Sequence, residues 1–268
     1  MRLGLSTVMY EQTDLSYPEI VRKANGLGYE GIELNFKEWP IESIIGDIEK
    51  SLDAFSVEVA AVGTRYMHVT HGLYLASPNQ KIRGKAMDYI TECIKIARRL
   101  DCPIVQAGWA FQGSKLEAPY DAAWKQAVES LREVGRRCQE HGLRFVIEFA
   151  CKRNAELVNT MDEAIRMLDE VGSDSVLVMA DVFHIYTEDD SVRDTVLKAG
   201  DRLGYVHLAD SDRLIPGSGK IDFSKFVDAL REINYKGYMI MEFNPGANPD
   251  ESLSQALGYM KGLLRREA

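Results

Sequence analysis

Short apolar segments alternate with longer amphipathic segments along the whole chain. The most apolar short segment runs from Val176 to Ala180 and ends at the carboxylate Asp181. An apolar run without alternating polar positions is typical of a strand buried on both faces, as in parallel sheets covered by helices. The longer segments carry apolar residues three or four positions apart, which predicts amphipathic helices. The chain is therefore predicted to consist of repeated strand–helix units.

Eight such units can be identified. The predicted strands are Leu3–Ser6, Gly31–Phe36, Val57–Val62, Cys102–Gln106, Leu143–Phe149, Val176–Asp181, Tyr205–Ala209 and Tyr238–Phe243. The predicted helices are Tyr17–Leu27, Ile41–Phe55, Gln80–Leu100, Tyr120–Gln139, Met161–Val171, Ser191–Ala199, Phe223–Ile233 and Glu251–Leu264. Eight alternations within about 250 residues predict a (β/α)8 TIM barrel. No linker-like or low-complexity tract interrupts the pattern, so we expect one domain over residues 1–268.

The main rival fold is an open, doubly wound sheet. Its dinucleotide-binding form needs a glycine-rich phosphate turn after the first strand, whereas residues 6–13 of this chain read STVMYEQT. No GxGxxG motif and no P-loop motif occurs elsewhere. Nucleotide binding is therefore not expected.

Composition narrows the class of partner. The chain is 46% hydrophobic and 27% charged, as ordinary globular proteins are, and its net charge of -9 disfavours nucleic acid. No apolar run approaches the roughly 18 residues of a membrane span, and no signal peptide is recognisable. The four cysteines form no CxxC pair and are expected to be buried thiols. We expect a soluble cytoplasmic protein with a small-molecule partner.

Polar side chains stand at the ends of the last four predicted strands. They are Glu148, Asp181, His207 and Glu242, and their neighbours along each strand are apolar. Because side chains alternate along a strand, the four polar groups are predicted to face the mouth of the barrel. They follow one another at intervals of 33, 26 and 35 residues, each about one strand–helix unit. They are therefore expected on adjacent strands at one height.

Three carboxylates and one imidazole would repel one another in a partly buried site without a counter-charge. A divalent metal ion removes this difficulty. Oxygen-rich ligation with one nitrogen suits Mn2+, Co2+ or Mg2+, and Zn2+ is also compatible. Because active sites of TIM barrels lie at this end of the strands, we expect a metal-dependent active site.

Two further residues are candidates for substrate binding at the same end of the barrel. His184 follows Asp181 by three residues, and Arg213 lies in the loop after strand seven. The guanidinium could bind hydroxyl or carbonyl oxygens of a substrate. The alternative is a surface arginine paired with Asp210 or Asp212.

Aromatic and histidine residues in two earlier loops are harder to assign. Trp109, after strand four, could form an apolar wall for a sugar or simply fill the rim of the core. His68 and His71 fall in a long loop after strand three and could approach the mouth of the barrel, although solvent-exposed loop histidines are commoner. No role is assigned to either histidine.

The chain resembles, over nearly its whole length, the sugar isomerase/epimerase family of xylose isomerase-like barrels, and within it the D-tagatose and D-psicose 3-epimerases. The resemblance rests on Glu148 with Asn159-Thr160 downstream, DVFH (181–184) followed by the acidic residues 188–190, HLADSDRLIPGSG (207–219) and GYMIMEF (237–243). It implies that Glu148, Asp181, His207 and Glu242 bind a divalent metal, commonly Mn2+ or Co2+. It further implies that the two glutamates act as acid and base, that His184 and Arg213 hold the carbonyl end of the substrate, and that the protein is a homodimer or homotetramer.

Such a site would remove a proton next to a ketone and pass through an enediolate. Return of the proton to the opposite face gives epimerisation, its return at the neighbouring carbon gives isomerisation, and loss of a leaving group makes the enzyme a lyase. Ketohexose 3-epimerases have a second glutamate where this chain has Asn154, a candidate substrate-binding residue, while Glu156 stays unassigned. The leading expectation is an epimerase or isomerase of a keto-sugar or keto-glycoside. The alternative is a lyase that cleaves an oxidised 3-keto glycoside or dehydrates a keto-polyol.

Two other classes remain for comparison. A DNA-repair phosphodiesterase barrel would need more histidine ligands and a basic face, whereas this chain has five histidines and a net charge of -9. A sugar-binding protein without catalysis would show no metal-dependent exchange of a substrate C–H with solvent.

Overall fold

Eight parallel strands form a closed barrel in chain order. The structure is a computed structural model that describes residues 1–188 and 191–265. The strands are β1 Arg2–Ser6, β2 Gly31–Asn35, β3 Glu58–Gly63, β4 Ile104–Gly108, β5 Arg144–Glu148, β6 Val176–Asp181, β7 Leu203–Leu208 and β8 Tyr238–Met241. The predicted TIM barrel and all eight predicted strands are confirmed. Since β8 ends at Met241, Glu242 follows the strand directly instead of lying within it.

Ten α-helices lie in the described part of the chain, and eight of them agree with the predicted amphipathic segments to within a few residues. They are α1 Tyr17–Leu27, α2 Glu42–Ala54, α3 Arg65–Val69, α4 Gln80–Arg99, α5 Tyr120–Glu140, α6 Met161–Val171, α7 Val182–Glu188, α8 Val192–Ala199, α9 Phe223–Glu232 and α10 Pro249–Leu264. Three short 3-10 helices cover Thr7–Tyr10, Trp109–Phe111 and Gly200–Arg202.

Two of these helices were not predicted. The short helix α3 occupies part of the segment that was predicted to be a loop after the third strand. The helix α7 begins directly after β6, so that only Asp181 separates the apolar residues of the strand from those of the helix. The side chain of Asp181 marks the transition, because its Oδ1 accepts the backbone N–H of Phe183 at 2.9 Å, as a helix-capping side chain does. Asp189 and Asp190 of the predicted acidic run lie outside the described residues.

The chain divides into two compact units, and each is described by itself. The first unit comprises Met1–Glu33, Gly46–Ala60 and Ala180–Ala268. In it β1 pairs with β2 and with β8, and β7 pairs with β8, all in parallel. Ser6 is in register with Glu33 and His207 with Ile240, so β1, β2, β7 and β8 bring polar side chains together at their carboxyl ends.

The second unit comprises Leu34–Ile45 and Ala61–Met179. Here β3 pairs with β4, β4 with β5 and β5 with β6. The register between β4 and β5 shifts between Gln106 and Gly108, and Gly108 adopts a positive φ of 54°. This irregularity redirects the chain into the 3-10 helix that carries Trp109. The expectation of a single domain over residues 1–268 stays a prediction.

The remaining compositional expectations concern helices and thiols. No helix in the described part of the chain has the length and apolarity needed to cross a membrane. Cys93, Cys102, Cys138 and Cys151 are buried thiols outside any disulfide, as predicted. Burial raises the pKa of the Cys138 thiol to about 12, so this thiol stays protonated and unreactive at neutral pH.

Candidate active site

In the first unit, a buried cluster forms at the carboxyl ends of four strands. It consists of Ser6, Glu33, His207 and Glu242. The Ser6 hydroxyl donates to Glu33 Oε1 at 2.8 Å, and His207 Nε2 lies 2.8 Å from Glu33 Oε2. On the other side of the imidazole ring, Nδ1 lies 3.3 Å from Glu242 Oε2. The ring of His207 is therefore held between two carboxylates.

The electrostatics of His207 follow from this position. Burial alone would lower the pKa of its imidazole, but the nearby charges of Glu33 and Glu242 raise that pKa well above the usual value. The two carboxylates thus stabilise positive charge on the ring and between the ring and Glu242. Either a proton on the imidazole or a bound cation can supply this positive charge.

Arg213 connects this cluster to Asp181. Its guanidinium donates from Nη1 to Asp181 Oδ2 at 2.6 Å and from Nη2 to Glu242 Oε2 at 2.8 Å. It also lies 4.9 Å above the ring of Phe183, a cation–π arrangement. Arg213 is therefore not a surface arginine paired with Asp210 or Asp212. It bridges two of the four predicted metal ligands.

His184 lies in the first turn of α7 and is buried. Its Nε2 is 3.9 Å from Asp181 Oδ2, and its ring packs edge-on against Phe183. The first unit thus brings together five of the site residues that the sequence predicted: Asp181, His184, His207, Arg213 and Glu242.

The loop that carries Arg213 is organised by the buried carboxylate of Asp210. This carboxylate accepts the backbone N–H groups of Ser211, Gly217 and Ile221 at 2.7, 2.8 and 3.1 Å. Burial would raise the pKa of Asp210, but backbone hydrogen bonds, including one from Gly219, bring it below its usual value. A Cβ atom at Gly219 would lie 2.3 Å from Asp210 Oδ1, so only glycine fits there. The predicted tight reversal at PGSG is therefore closed around Asp210.

These donors fit a divalent metal ion. Glu33, His207 and Glu242 each offer one ligand atom, and these atoms lie within 4.8 Å of one another. Carboxylate oxygens with one imidazole nitrogen suit the metal ions named above. Asp181, bridged to Glu242 by Arg213, adds a further carboxylate in the same unit.

In the second unit, Glu148 closes β5 and is buried. Its Oε2 accepts the backbone N–H of Trp109 at 3.1 Å. This bond requires the sharp turn at Gly108, where a Cβ atom would come within 3.3 Å of Glu148 Oε2. Trp109 therefore positions the Glu148 carboxylate through its backbone, a contact that the sequence did not predict.

The indole of Trp109 belongs to an aromatic wall that also contains His68 and Tyr74. The ring of His68 packs edge-on against Trp109 and Tyr74, with ring centroids 5.5 and 5.7 Å away. Its Nε2 lies 2.9 Å from the Ser114 hydroxyl, and burial lowers its pKa. The ring of His71 packs against Trp39 and Tyr89. The two histidines are thus half-buried instead of fully solvent-exposed, because their rings pack onto aromatic side chains.

Asn154 and Glu156, in the segment that follows β5, are less buried than Glu148. Asn154 is half-buried; its Oδ1 accepts a hydrogen bond from the Cys151 thiol at 3.2 Å. Glu156 is exposed and accepts the backbone N–H of Leu116 at 3.0 Å. Asn159 ties the segment together, because its Nδ2 donates to the carbonyl oxygens of residues 150 and 155. The structure gives Asn154 a contact within its own turn, and its proposed contact with substrate stays a prediction.

Sequence reasoning missed Glu33. The signal was present, because Glu33 stands between the apolar residues Ile32 and Leu34 near the end of β2, just as Glu148 does in β5. The sequence prediction rested on the last four strands, and β2 is not one of them. Gln106 of β4 follows the same pattern, and its buried Oε1 has no hydrogen-bond partner in the described part of the chain.

Comparison with known proteins finds several sugar epimerases among the relatives of this chain. The chain is 28% identical to a D-psicose 3-epimerase of Ruminiclostridium cellulolyticum over 252 residues, which cover 90% of this chain and 83% of the relative. It is also 28% identical to a D-psicose 3-epimerase of Enterocloster bolteae, over 84% of this chain and 76% of the relative. A 3-dehydro-D-guloside 4-epimerase of Escherichia coli is 28% identical over 59% of this chain and 63% of its own length. The predicted enzyme of the isomerase class is thereby confirmed.

Solved structures support the fold. A D-psicose 3-epimerase with D-tagatose from Clostridium cellulolyticum superposes with a TM-score of 0.88 at 24% identity, covering 99% of this chain and 100% of that one. A 3-keto-D-glucoside 4-epimerase from E. coli gives a TM-score of 0.86 at 20% identity, covering 98% and 99%. The family model described as xylose isomerase-like TIM barrel matches residues 21–263. The chain therefore belongs to the family of xylose isomerase-like TIM barrels.

Proposed function

We propose that this protein is a divalent-metal-dependent epimerase of a keto-sugar or keto-glycoside. The observation that carries the proposal is the buried cluster in which His207 Nδ1 and Glu242 Oε2 face each other at 3.3 Å. The two carboxylates beside His207 favour positive charge at this position, and carboxylate oxygens with one imidazole nitrogen suit a divalent metal ion. The epimerase names of the relatives support the reaction class.

In this proposal Glu148, Asp181, His207 and Glu242 hold the ion. Mn2+ is the metal we propose first, with Co2+, Mg2+ and Zn2+ as alternatives. When bound, the ion supplies a Lewis acid that acidifies the C–H group between the substrate ketone and the adjacent hydroxyl. This is the only part of the chemistry that the protein's own side chains do not supply.

The two glutamates carry the proton transfers. One carboxylate, of Glu148 or Glu242, removes the proton from one face of the substrate carbon. The other returns a proton to the opposite face, which inverts that carbon. Both side chains are largely shielded from water, with the Glu242 side chain 13% exposed and Glu148 3% exposed as a residue. Shielding favours proton exchange with the substrate over proton loss to solvent.

Four residues complete the proposed site by binding substrate. The fork of Arg213 and the imidazole of His184 hold the carbonyl end, where both can donate hydrogen bonds to oxygen. Trp109 contributes an apolar wall, and Asn154 contributes an amide. Because an amide replaces the second glutamate of the ketohexose 3-epimerases, we favour a substituted sugar, such as a keto-glycoside, as the substrate.

The same amide leaves a lyase as the second candidate. Loss of the substituent of an oxidised glycoside from the enediolate would release two smaller products from one substrate. An epimerase returns one product of unchanged mass. Mass spectrometry of the reaction mixture therefore separates the two candidates.

Substitution of the two glutamates tests the proposal. We expect Glu148→Gln and Glu242→Gln each to lower kcat by at least 100-fold with ketohexoses or 3-keto-glucosides, the scale of general acid–base catalysis. Glu156→Gln is the matched control, because Glu156 is an exposed glutamate of the second unit and glutamine retains its bond to Leu116. Near wild-type turnover by either of the first two variants would refute the assigned roles.

The cellular setting is part of the same proposal. We propose a cytoplasmic homodimer or homotetramer that acts on a small sugar or glycoside and binds neither nucleic acid nor membrane. The acidic net charge of -9 supports the absence of a nucleic-acid partner. The absence of disulfides among the described cysteines supports a reducing compartment.

A further inference from the structure

We infer that Glu33 is a positioning residue for the metal site: it fixes His207 so that Nδ1 is the nitrogen offered to the metal, and Ser6 holds Glu33 in place. The inference rests on the proposed metal site and assigns a role to two residues outside the proposed ligand set.

The contacts of Glu33 set the orientation of the imidazole. Carboxylate oxygens accept hydrogen bonds, so in a neutral ring the proton of His207 is placed on Nε2, which donates to Glu33 Oε2 at 2.8 Å. In a neutral ring the lone pair then lies on Nδ1, and Nδ1 faces Glu242 Oε2 at 3.3 Å. Glu33 thus turns the metal-binding nitrogen of His207 towards the next carboxylate.

Ser6 completes the arrangement from a third strand. Its hydroxyl donates to the other oxygen of Glu33 at 2.8 Å. Ser6 and Glu33 occupy paired positions of β1 and β2, so the backbone register fixes the distance between them. The chain Ser6–Glu33–His207 therefore joins β1, β2 and β7 through side chains that are at most 2% exposed.

A fully buried carboxylate is a costly choice for the fold. Apolar side chains of similar volume often stabilise a core as well as, or better than, a buried ion pair does. The presence of a carboxylate at residue 33 is explained if its hydrogen bond to His207 supports that residue as a metal ligand. A carboxylate that accepts the free N–H of a ligating histidine makes the ring a better donor, and loss of such a partner typically weakens metal binding by about 10–100-fold.

The experiment measures Mn2+ dissociation constants by calorimetry for the wild type, Glu33→Gln, Ser6→Ala and the ligand variant His207→Gln. The control is Glu30→Gln, which changes an exposed glutamate directly before β2. Glutamine at residue 33 keeps the shape and one acceptor oxygen and loses the charge. We expect Glu33→Gln to bind Mn2+ about 10–100-fold more weakly, Ser6→Ala to show a smaller loss, and Glu30→Gln to match the wild type. Saturating Mn2+ should restore most of the kcat of Glu33→Gln, which a folding defect would not allow.

Each other outcome has a distinct meaning. If the wild type binds no divalent ion, the proposed function fails. If the wild type binds Mn2+ and Glu33→Gln binds it equally well, the positioning role of Glu33 is overturned and the proposed function survives. If Glu33→Gln loses Mn2+ as completely as His207→Gln does, Glu33 is a direct ligand, which also overturns the positioning role.

Discussion

The contacts of Arg213 compete with metal binding at the same carboxylates. Its guanidinium binds Asp181 Oδ2 and Glu242 Oε2, and both residues belong to the proposed metal-ligand set. An oxygen that accepts from the guanidinium in this geometry has less electron density to offer a cation. Metal binding is therefore expected to weaken these two bonds and to release the fork of Arg213 for substrate oxygens.

Replacement of Arg213 by lysine tests this competition, since lysine keeps the charge and loses the two-armed contact. We expect Arg213→Lys to bind Mn2+ up to about tenfold more tightly, the scale of one charge-assisted hydrogen bond, and to have a higher KM for the sugar. Calorimetry with Mn2+ and steady-state kinetics measure the two effects. Unchanged metal affinity with a higher KM would mean that Arg213 binds substrate without competing for the metal ligands.

At the residue scale, the sequence predicted what a strand pattern can carry. Asp181, His207 and Glu242 were found because a polar residue between apolar neighbours at a strand end is visible in one dimension. Glu33 has the same signal, but it lies in β2, outside the four strands on which the predicted site rested. The bond from Trp109 to Glu148 depends on a positive φ at Gly108, and no side-chain pattern predicts it.

At the element scale, the loop between β7 and α9 is the segment on which Arg213 depends. Arg213 itself has a positive φ of 64°, and its backbone N–H donates to the carbonyl oxygen of Asp210 at 2.8 Å. The side-chain carboxylate of Asp210 accepts backbone N–H groups across the loop, among them those of Ser211, Gly217 and Ile221. The position of the guanidinium therefore depends on a buried carboxylate that itself need not touch substrate.

Asp210→Asn tests the loop, because an amide NH2 group cannot accept the N–H that Asp210 Oδ2 receives from Gly217. We expect a loss of about 1–3 kcal/mol in the free energy of unfolding, measured by urea denaturation, together with a higher KM. The control Asp212→Asn changes an exposed residue and should stay within about 0.5 kcal/mol of the wild type.

The pH dependence of stability gives a second measure of Asp210. Because the pKa of Asp210 is lowered by folding, its contribution is complete above the unfolded value of about 3.9 and is lost as the pH falls through the lower folded value. The stability difference between wild type and Asp210→Asn should therefore shrink below about pH 4. A difference that is constant with pH would contradict the role of the carboxylate charge.

The elements themselves were largely predictable. Strands and long helices have different hydrophobic periods, so eight alternations could be counted from the sequence alone. The helices α3 and α7 escaped because five and seven residues are too short to show a helical period. Apolar residues lie on both sides of Asp181, in β6 and in α7. The change from strand to helix is marked by the hydrogen bond that Asp181 Oδ1 accepts from the backbone N–H of Phe183.

At the scale of the whole molecule, the barrel fold does not select the reaction. TIM barrels support many chemistries, and the reaction depends on the side chains at the carboxyl ends of the strands. In the first unit these ends carry carboxylates, an imidazole and an arginine within hydrogen-bond reach of one another. This combination is suited to hold a cation and to move a proton beside a carbonyl group.

The most direct test of the central claim is proton NMR of the Mn2+-loaded and the chelated protein with ketohexoses and 3-keto-glucosides in D2O. We expect metal-dependent deuterium uptake at the carbon beside the ketone, together with an epimer of unchanged carbon skeleton, and no uptake after chelation. Deuterium uptake that persists fully in the chelated protein, or conversion of a substrate in D2O to an epimer without deuterium from solvent, would contradict metal-dependent proton transfer by two glutamates.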